Sequence, residues 1–282
     1  MFPFGLALLS GFTWGSADFV GGLMSKRLPT ATVMVVSQTA GLILTAGLVI
    51  TLGEPRPDTR FLVYGGLGGI AGAIGLAALY KGLAVGRMSI VAPTAALSGA
   101  VPVIVGFIQG ERPTMVQLAG MAIAGAGVLL AVRTTEPPGS LPTGSGTNGV
   151  GFALLAALFL GLFVTSLDAA GAASPLWASL MIRFVSVPLF MLAAVVTARH
   201  ARRPTGREAG ILAGVGALDN AANVMFAVAA REGLLTLVSV LGSLYPVATV
   251  LLARWFLHER LARWQVVGVA AAFVGVAMIA AG

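Results

Sequence analysis

Apolar residues run in blocks of about twenty along this chain, and the charged residues fall between the blocks. Ten runs can be marked: roughly 3–23, 32–52, 61–80, 88–109, 114–132, 150–170, 174–198, 208–230, 234–255 and 262–281. A membrane-spanning helix needs about 20 predominantly apolar residues. The pattern therefore predicts an all-α polytopic membrane protein with ten transmembrane helices. The first run has no basic segment before Pro3 and is too long for the apolar core of a cleaved signal, so it reads as the first helix. The connections are short and hold most of the charge and proline: Ser25-Lys26-Arg27-Leu28-Pro29, Glu54 to Arg60, Glu111-Arg112-Pro113 and Arg199 to Arg207. The longest is rich in Pro, Gly, Ser and Thr and reads as a flexible linker over 134–148. It divides the chain into five-run halves, 1–133 and 149–282.

The halves repeat. Gly5-Leu6-Ala7-Leu8-Leu9 returns as Gly151-Phe152-Ala153-Leu154-Leu155, and Gly15 as Gly161, at an offset of 146. Glu111-Arg112, Gln117, Gly120 and Gly127-Val128 return as Glu259-Arg260, Gln265, Gly268 and Gly275-Val276, at an offset of 148. Between these, Gly86 matches Gly233, and Ser89-Ile90-Val91 matches Thr236-Leu237-Val238. Five is odd, so the halves would cross the membrane in opposite senses. The expectation is a 5+5 inverted-topology repeat, the arrangement that builds alternating access around a midplane site.

Composition narrows the function. The chain of 282 residues is 57% hydrophobic and 10% charged, with mean hydropathy +0.96. Soluble domains carry about 25% charge, so a water-soluble enzyme, a disordered regulator and a secreted disulfide scaffold are all poor fits. With no cysteine, thiolate catalysis, disulfides and Cys-ligated zinc are excluded. His200 and His258 sit in charged connections and suggest no metal site. The +7 charge is spread over the connections, which does not make a nucleic-acid stripe. HExxH and GxSxG motifs are absent, so no enzyme is expected. The Gly65/Gly69 and Gly68/Gly72 pairs lie in an apolar run without a Walker ending, which suggests close helix packing and disfavours an ATP-driven pump. No metal or cofactor is expected. The expected partners are a small-molecule substrate and the bilayer of a cell membrane (inner or plasma), with a monomer or homodimer as the unit.

The few charges inside the runs carry the chemistry. One at mid-bilayer costs about 2.5–3.5 kcal/mol and needs a partner, a water-filled cavity or a function. Asp18, Asp168, Arg183 and Asp219 are the candidates, with Asp18 nearer the far end of the first run. Arg183 is nine residues into the seventh run and Asp219 eleven into the eighth, so both fall near the midplane on consecutive antiparallel helices. A pair between them is geometrically feasible; an unpaired Arg183 could instead hold a substrate carboxylate. Asp168, near the end of the sixth run, reads as interfacial. Asp219 and Asn223 share one helical face at i and i+4, as do Trp14 and Asp18. Asn220 and Gln38 add amides on polar faces that can line a route or hold helices together. Asp18 and Asp219 are candidates to trade a proton for substrate; pairing with Arg183 would commit Asp219 and leave Asp18 as the proton site. Asp18 with Trp14 suits an amine or aromatic cation, and Arg183 a carboxylate. Trp177, Trp255 and Trp264 lie near run ends and read as interface anchors. Glu111-Arg112 and Glu259-Arg260 read as local hairpin structure.

The stretch Tyr80-Lys81-Gly82-Leu83-Ala84-Val85-Gly86-Arg87-Met88-Ser89-Ile90-Val91-Ala92-Pro93, followed by Gly110-Glu111-Arg112 and Gln117, resembles the EamA-type repeat of the drug/metabolite transporter superfamily. The second half has the same features in Leu244-Tyr245-Pro246 and His258-Glu259-Arg260, and Trp14-Gly15 resembles the family's start. The resemblance implies a ten-helix permease, a secondary active transporter exporting amino acids, metabolites or drugs by alternating access, with proton coupling as an option. It adds Tyr245 to the candidate substrate or proton residues. The competing class is a non-transporting membrane scaffold or lipid-handling bundle, against which the buried Asp18, Arg183 and Asp219 argue. Pro246 aligns with Gly99, while the first half has its proline at Pro102, so the bends of the fourth and ninth runs are not required to coincide. Twelve Lys/Arg lie on the side away from the termini and four on the side bearing them, which places the termini outside the cytoplasm; the resemblance implies termini inside.

Overall fold

A computed structural model describes residues 2–25, 27–85, 94–131, 148–197, 203–257 and 262–282. Its helices are α1 (Phe2–Ser25), α2 (Thr30–Thr51), α3 (Thr59–Val85), a 3₁₀ turn (Ala96–Gly99) leading into α4 (Ala100–Ile108), α5 (Met115–Ala131), α6 (Asn148–Gly171), α7 (Pro175–Thr197), α8 (Gly206–Glu232), α9 (Leu235–Gly242), α10 (Tyr245–Leu257) and α11 (Arg263–Ala281). Every regular element among the described residues is helical. Six helices, α2, α3, α6, α7, α8 and α11, are long and apolar enough to cross a bilayer. Although α1 is of spanning length, Ser10, Thr13, Trp14, Ser16 and Asp18 dilute its apolar run. Helix α8 starts at a capping box: Thr205 Oγ1 accepts the Glu208 N–H and the Glu208 carboxylate accepts the Thr205 N–H at 2.8 Å. Large apolar side chains such as Leu9, Ile43, Ile50, Leu192 and Phe273 stay exposed, as a lipid-facing surface requires.

The bend of the ninth run divides it into two helices, α9 and α10. The run breaks at Ser243–Leu244, where bonding tightens to Leu244 N–H on Leu241 O at 3.3 Å and Val247 N–H on Leu244 O at 2.9 Å. The first half narrows to its 3₁₀ turn at Ala96–Gly99, the matching place in the repeat. The two breaks touch, a Cβ at Gly99 lying 3.2 Å from Ser243 Cβ. The prolines differ and the breaks coincide, so the bend follows repeat register rather than proline placement. Residues 86–93, 132–147 and 258–261, including the Gly86–Pro93 motif, most of the linker and Glu259-Arg260, lie outside the described residues.

Packing comes in repeat-related pairs. Helix α3 lies along α6 and α7, α8 along α1 and α2, and α5 along α11. A Cβ at Gly15 would strike Tyr245 O and Ala248; one at Gly161 would strike Ser98 O and Val101. Those partners are themselves repeat equivalents. In the α5–α11 contact, Gly127 and Gly268 face each other's carbonyls, as do Gly120 and Gly275. Without a hydrophobic drive in lipid, such close backbone approach supplies the packing.

Among the described residues the largest buried cluster lies towards one face, and three smaller ones lie elsewhere. One face of the bundle gathers Pro3 beside Gly233, Glu111 beside Leu235, and Gly282 beside Thr114; we call it the terminal face. The largest apolar cluster extends inward from there: Ala7, Leu167, Phe226, Leu235, Leu237, Val238, Leu241 and Ile279. All eight residues of α9 are buried. Towards the opposite face, where α1 ends, the α1–α2–α8 cluster is only Met24, Leu28, Val33 and Leu212.

Candidate functional site

Four helices meet midway along the bundle, each offering a polar stripe at helical spacing. They are Ser10, Trp14 and Asp18 on α1; Gln38, Gly41 and Thr45 on α2; Ser179 and Arg183 on α7; and Gly216, Asp219, Asn220 and Asn223 on α8. Glycine sets the reach. A Cβ at Gly216 would collide with Ser37 O, and one at Gly41 would lie 3.2 Å from Gly216 O. With α2 and α8 this close, short polar side chains bridge them.

Arg183 is 4% exposed and donates to both neighbours: Nη2 to Asp219 Oδ2 at 2.5 Å and Nη1 to Gln38 Oε1. Gln38 Nε2 closes the triangle on Asp219 Oδ2 at 3.2 Å. A buried guanidinium is costly without a counter-charge and hydrogen bonds, and here it has both. Asn220 extends the network, accepting from Ser179 Oγ at 2.5 Å and donating to Thr45 Oγ1. On the α1 side, Trp14 Nε1 donates to Asn223 Oδ1 at 2.9 Å and Ser10 Oγ to Ala222 O at 2.8 Å. Trp14 also rests against Phe226, with ring centroids 5.5 Å apart. Two buried nitrogens at this site, Arg183 Nε and Asn223 Nδ2, have no partner among the described residues.

Asp18 differs from every other polar residue here. It is exposed, and no hydrogen bond or ion pair reaches its carboxylate among the described residues. Leu9 and Phe12 mark the lipid side of α1. Asp18 follows Leu9 by nine residues, about two and a half turns, and so projects from the opposite, inward side. Gly22, one turn further, is exposed on that same side. Asp18 and Gly22 are thus both exposed along one side of α1. The Asp219 side chain keeps 24% exposure, and the Asp18 and Asp219 carboxylates are close enough to repel.

The structure thus brings together Trp14, Asp18, Gln38, Arg183, Asp219, Asn220 and Asn223. Tyr245 stands half-buried at the head of α10, where its backbone packs on Gly15. Asp168 lies half-buried in the last turn of α6, beside Glu111. Glu111 is not a local hairpin residue; its carboxylate reaches the backbone of α9 in the other half. Trp177 Nε1 donates to Glu54 O at 3.2 Å, tying two connections together, while Trp255 is 70% exposed. Sequence reasoning missed Thr45 and Ser179, whose signal was spacing: Thr45 is seven residues after Gln38, and Ser179 four before Arg183. A separate cavity of about 210 Å³ between α1, α10 and α11 is walled by apolar residues such as Phe12, Val247, Leu251 and Phe273.

No curated protein sequence matches the chain. Among solved structures, one titled "Crystal structure of protein" superposes with a TM-score of 0.81 over 98% of this chain and 94% of its own, at 16% identity. That likeness shows the fold. The sequence model described as the EamA-like transporter family matches residues 1–133 and 147–281.

Proposed function

Since this chain belongs to the EamA-like transporter family, and so to the membrane transporters of small solutes, we propose that it is a secondary active exporter working by alternating access. The reading takes the chain across the cell membrane ten times, as two inverted repeats of five spans, with the broken α9–α10 pair counted as one span. The solutes are small organic molecules of the amino acid, metabolite or drug kind. The observation that carries the reading is Asp18: an exposed carboxylate on the inward side of its helix, without a hydrogen-bond or ion-pair partner among the described residues.

A scaffold gains nothing from an acid left unpaired inside its span. A transporter can use it as the group that exchanges a proton for substrate. Asp219 is already engaged by Arg183 and Gln38, so it serves as a fixed electrostatic wall, with Trp14 and Asn223 completing the lining. Arg183 then neutralises Asp219 and is not the first contact for a substrate carboxylate.

The test is counterflow into proteoliposomes with a mixed metabolite pool, followed by flux under an imposed pH gradient. Saturable flux is expected in the native chain. Asp18→Asn is expected to abolish the pH-gradient-driven component while leaving thermal stability in detergent within about 0.5 kcal/mol, as for a side chain with no partner to lose. Full gradient-driven flux in Asp18→Asn would overturn the proton role. Absence of any saturable flux would overturn the transporter mechanism. A reporter fused to the C-terminus tells which face is cytoplasmic.

A further inference from the structure

Glu111 leaves α4 through Gly110, whose φ of +95° turns the chain back on itself. The Glu111 carboxylate then crosses from the first half to the second. Its Oε1 accepts the Leu235 N–H at 2.6 Å and its Oε2 the Thr236 N–H at 2.8 Å. These are the first two residues of α9, whose own N-cap, Leu234, offers no side-chain acceptor. The bond satisfies two of the orphan donors at that helix start and places a negative charge where the helix dipole favours one. Space for it is reserved: a Cβ at Gly106 would lie 2.5 Å from Glu111 Oε2 and 2.7 Å from Thr236 Cγ2. Against it stands Asp168 of α6, near enough for its carboxylate to repel that of Glu111.

The helix so held closes one end of the bundle. Every residue of α9 is buried, and Thr236 and Ser239 carry buried hydroxyls without partners. Towards the end of α1, on the other side of the polar cluster, Asp18 and Gly22 are exposed. We infer that Glu111 is the latch of the terminal-face gate: its carboxylate, anchored in one repeat, pins the start of α9 in the other, and its release frees α9 to swing and open that face. The inference rests on the alternating-access reading above, but its core claim concerns only the seal.

The native chain has no cysteine, so single-cysteine accessibility can be read without a background. Ser239→Cys reports from behind the latch and Gly22→Cys from the exposed side of α1, where a Cβ meets nothing within 4 Å. Each is labelled with a membrane-impermeant maleimide, applied from the corresponding face of proteoliposomes holding the full chain. With Glu111 present, Ser239→Cys is expected to label slowly and Gly22→Cys quickly. Adding Glu111→Gln, which keeps the shape but loses the charge, is expected to raise the Ser239→Cys rate at least tenfold and to lower the Gly22→Cys rate; Glu111→Asp is expected to restore part of the protection. A rise at Ser239→Cys without a fall at Gly22→Cys supports the latch and overturns alternating access. An unchanged Ser239→Cys rate overturns the latch, whatever Gly22→Cys does. Because Glu111→Gln keeps the size and one acceptor, a monodisperse detergent profile identifies a folded sample; if that variant does not fold, Glu111→Asp and Gly106→Ala in the Ser239→Cys background carry the same comparison, with faster labelling supporting the latch and native-rate labelling overturning it.

Discussion

Helices α3 and α8 occupy the same place in the two repeats and solve the same packing problem with different chemistry. Each lies along two helices of the other half. Gly69 of α3 brings a would-be Cβ to 2.6 Å from Ile182 O of α7, and its repeat equivalent, Gly216 of α8, brings one against Ser37 O of α2. One turn on the two diverge. Helix α3 continues with Gly72 and Gly75, packed on Phe163 and Leu160 of α6. Helix α8 instead places Asp219, Asn220 and Asn223 against Gln38, Arg183, Thr45 and Trp14. The frame is shared and the polar group is not. A duplicated scaffold can keep one copy of a contact as plain packing while the other takes on charge, and the polar cluster around Arg183 is built from that asymmetry.

The contrast can be broken most forcefully at the charge pair. Asp219→Leu leaves Arg183 buried with no counter-ion and is expected to cost about 3–5 kcal/mol. Asp219→Leu with Arg183→Met removes both charges and is expected to recover most of that loss. Thermal unfolding in detergent measures both; a double variant as unstable as the single one would show that the polar stripe is not internally balanced. Next come the shared glycines. Gly69→Ala and Gly216→Ala press a methyl group onto backbone and are each expected to cost about 1–3 kcal/mol. Equal losses sharpen the idea of a common frame, and a loss confined to one side breaks it. The smallest effect has the opposite sign. At Gly47 of α2 a Cβ meets nothing within 4 Å, so Gly47→Ala is expected to stabilise by about 0.5–1 kcal/mol through backbone entropy alone.

Much of this was legible along the chain. Run length marked the helices, because about 20 residues is what a bilayer demands. The Gly15/Gly161 match anticipated a pair of real contacts, because a glycine kept for close approach is kept in both copies. Depth made an Arg183–Asp219 pair feasible, and the two side chains do meet. Other features were invisible because they depend on which helices become neighbours. Nothing local to Glu111 says that its carboxylate will meet Leu235, more than a hundred residues away. Thr45 and Ser179 gain meaning only once Asn220 stands between them. The break at Ser243 was obscured because proline, the usual sign of a bend, sits at different repeat positions in the two halves.

The contact between Gly99 and Ser243 has a mechanical consequence. Two broken spans that bend at one point are two levers on a single fulcrum. In the proposed alternating-access cycle, tilting α9–α10 about Ser243 would displace Gly99 and with it the head of α4. Whatever bias is applied to one lever is felt equally by the other, because such coupling is reciprocal. A bulky side chain or a bound molecule wedged at this fulcrum would stall both ends of the bundle together, without touching Asp18 or Arg183.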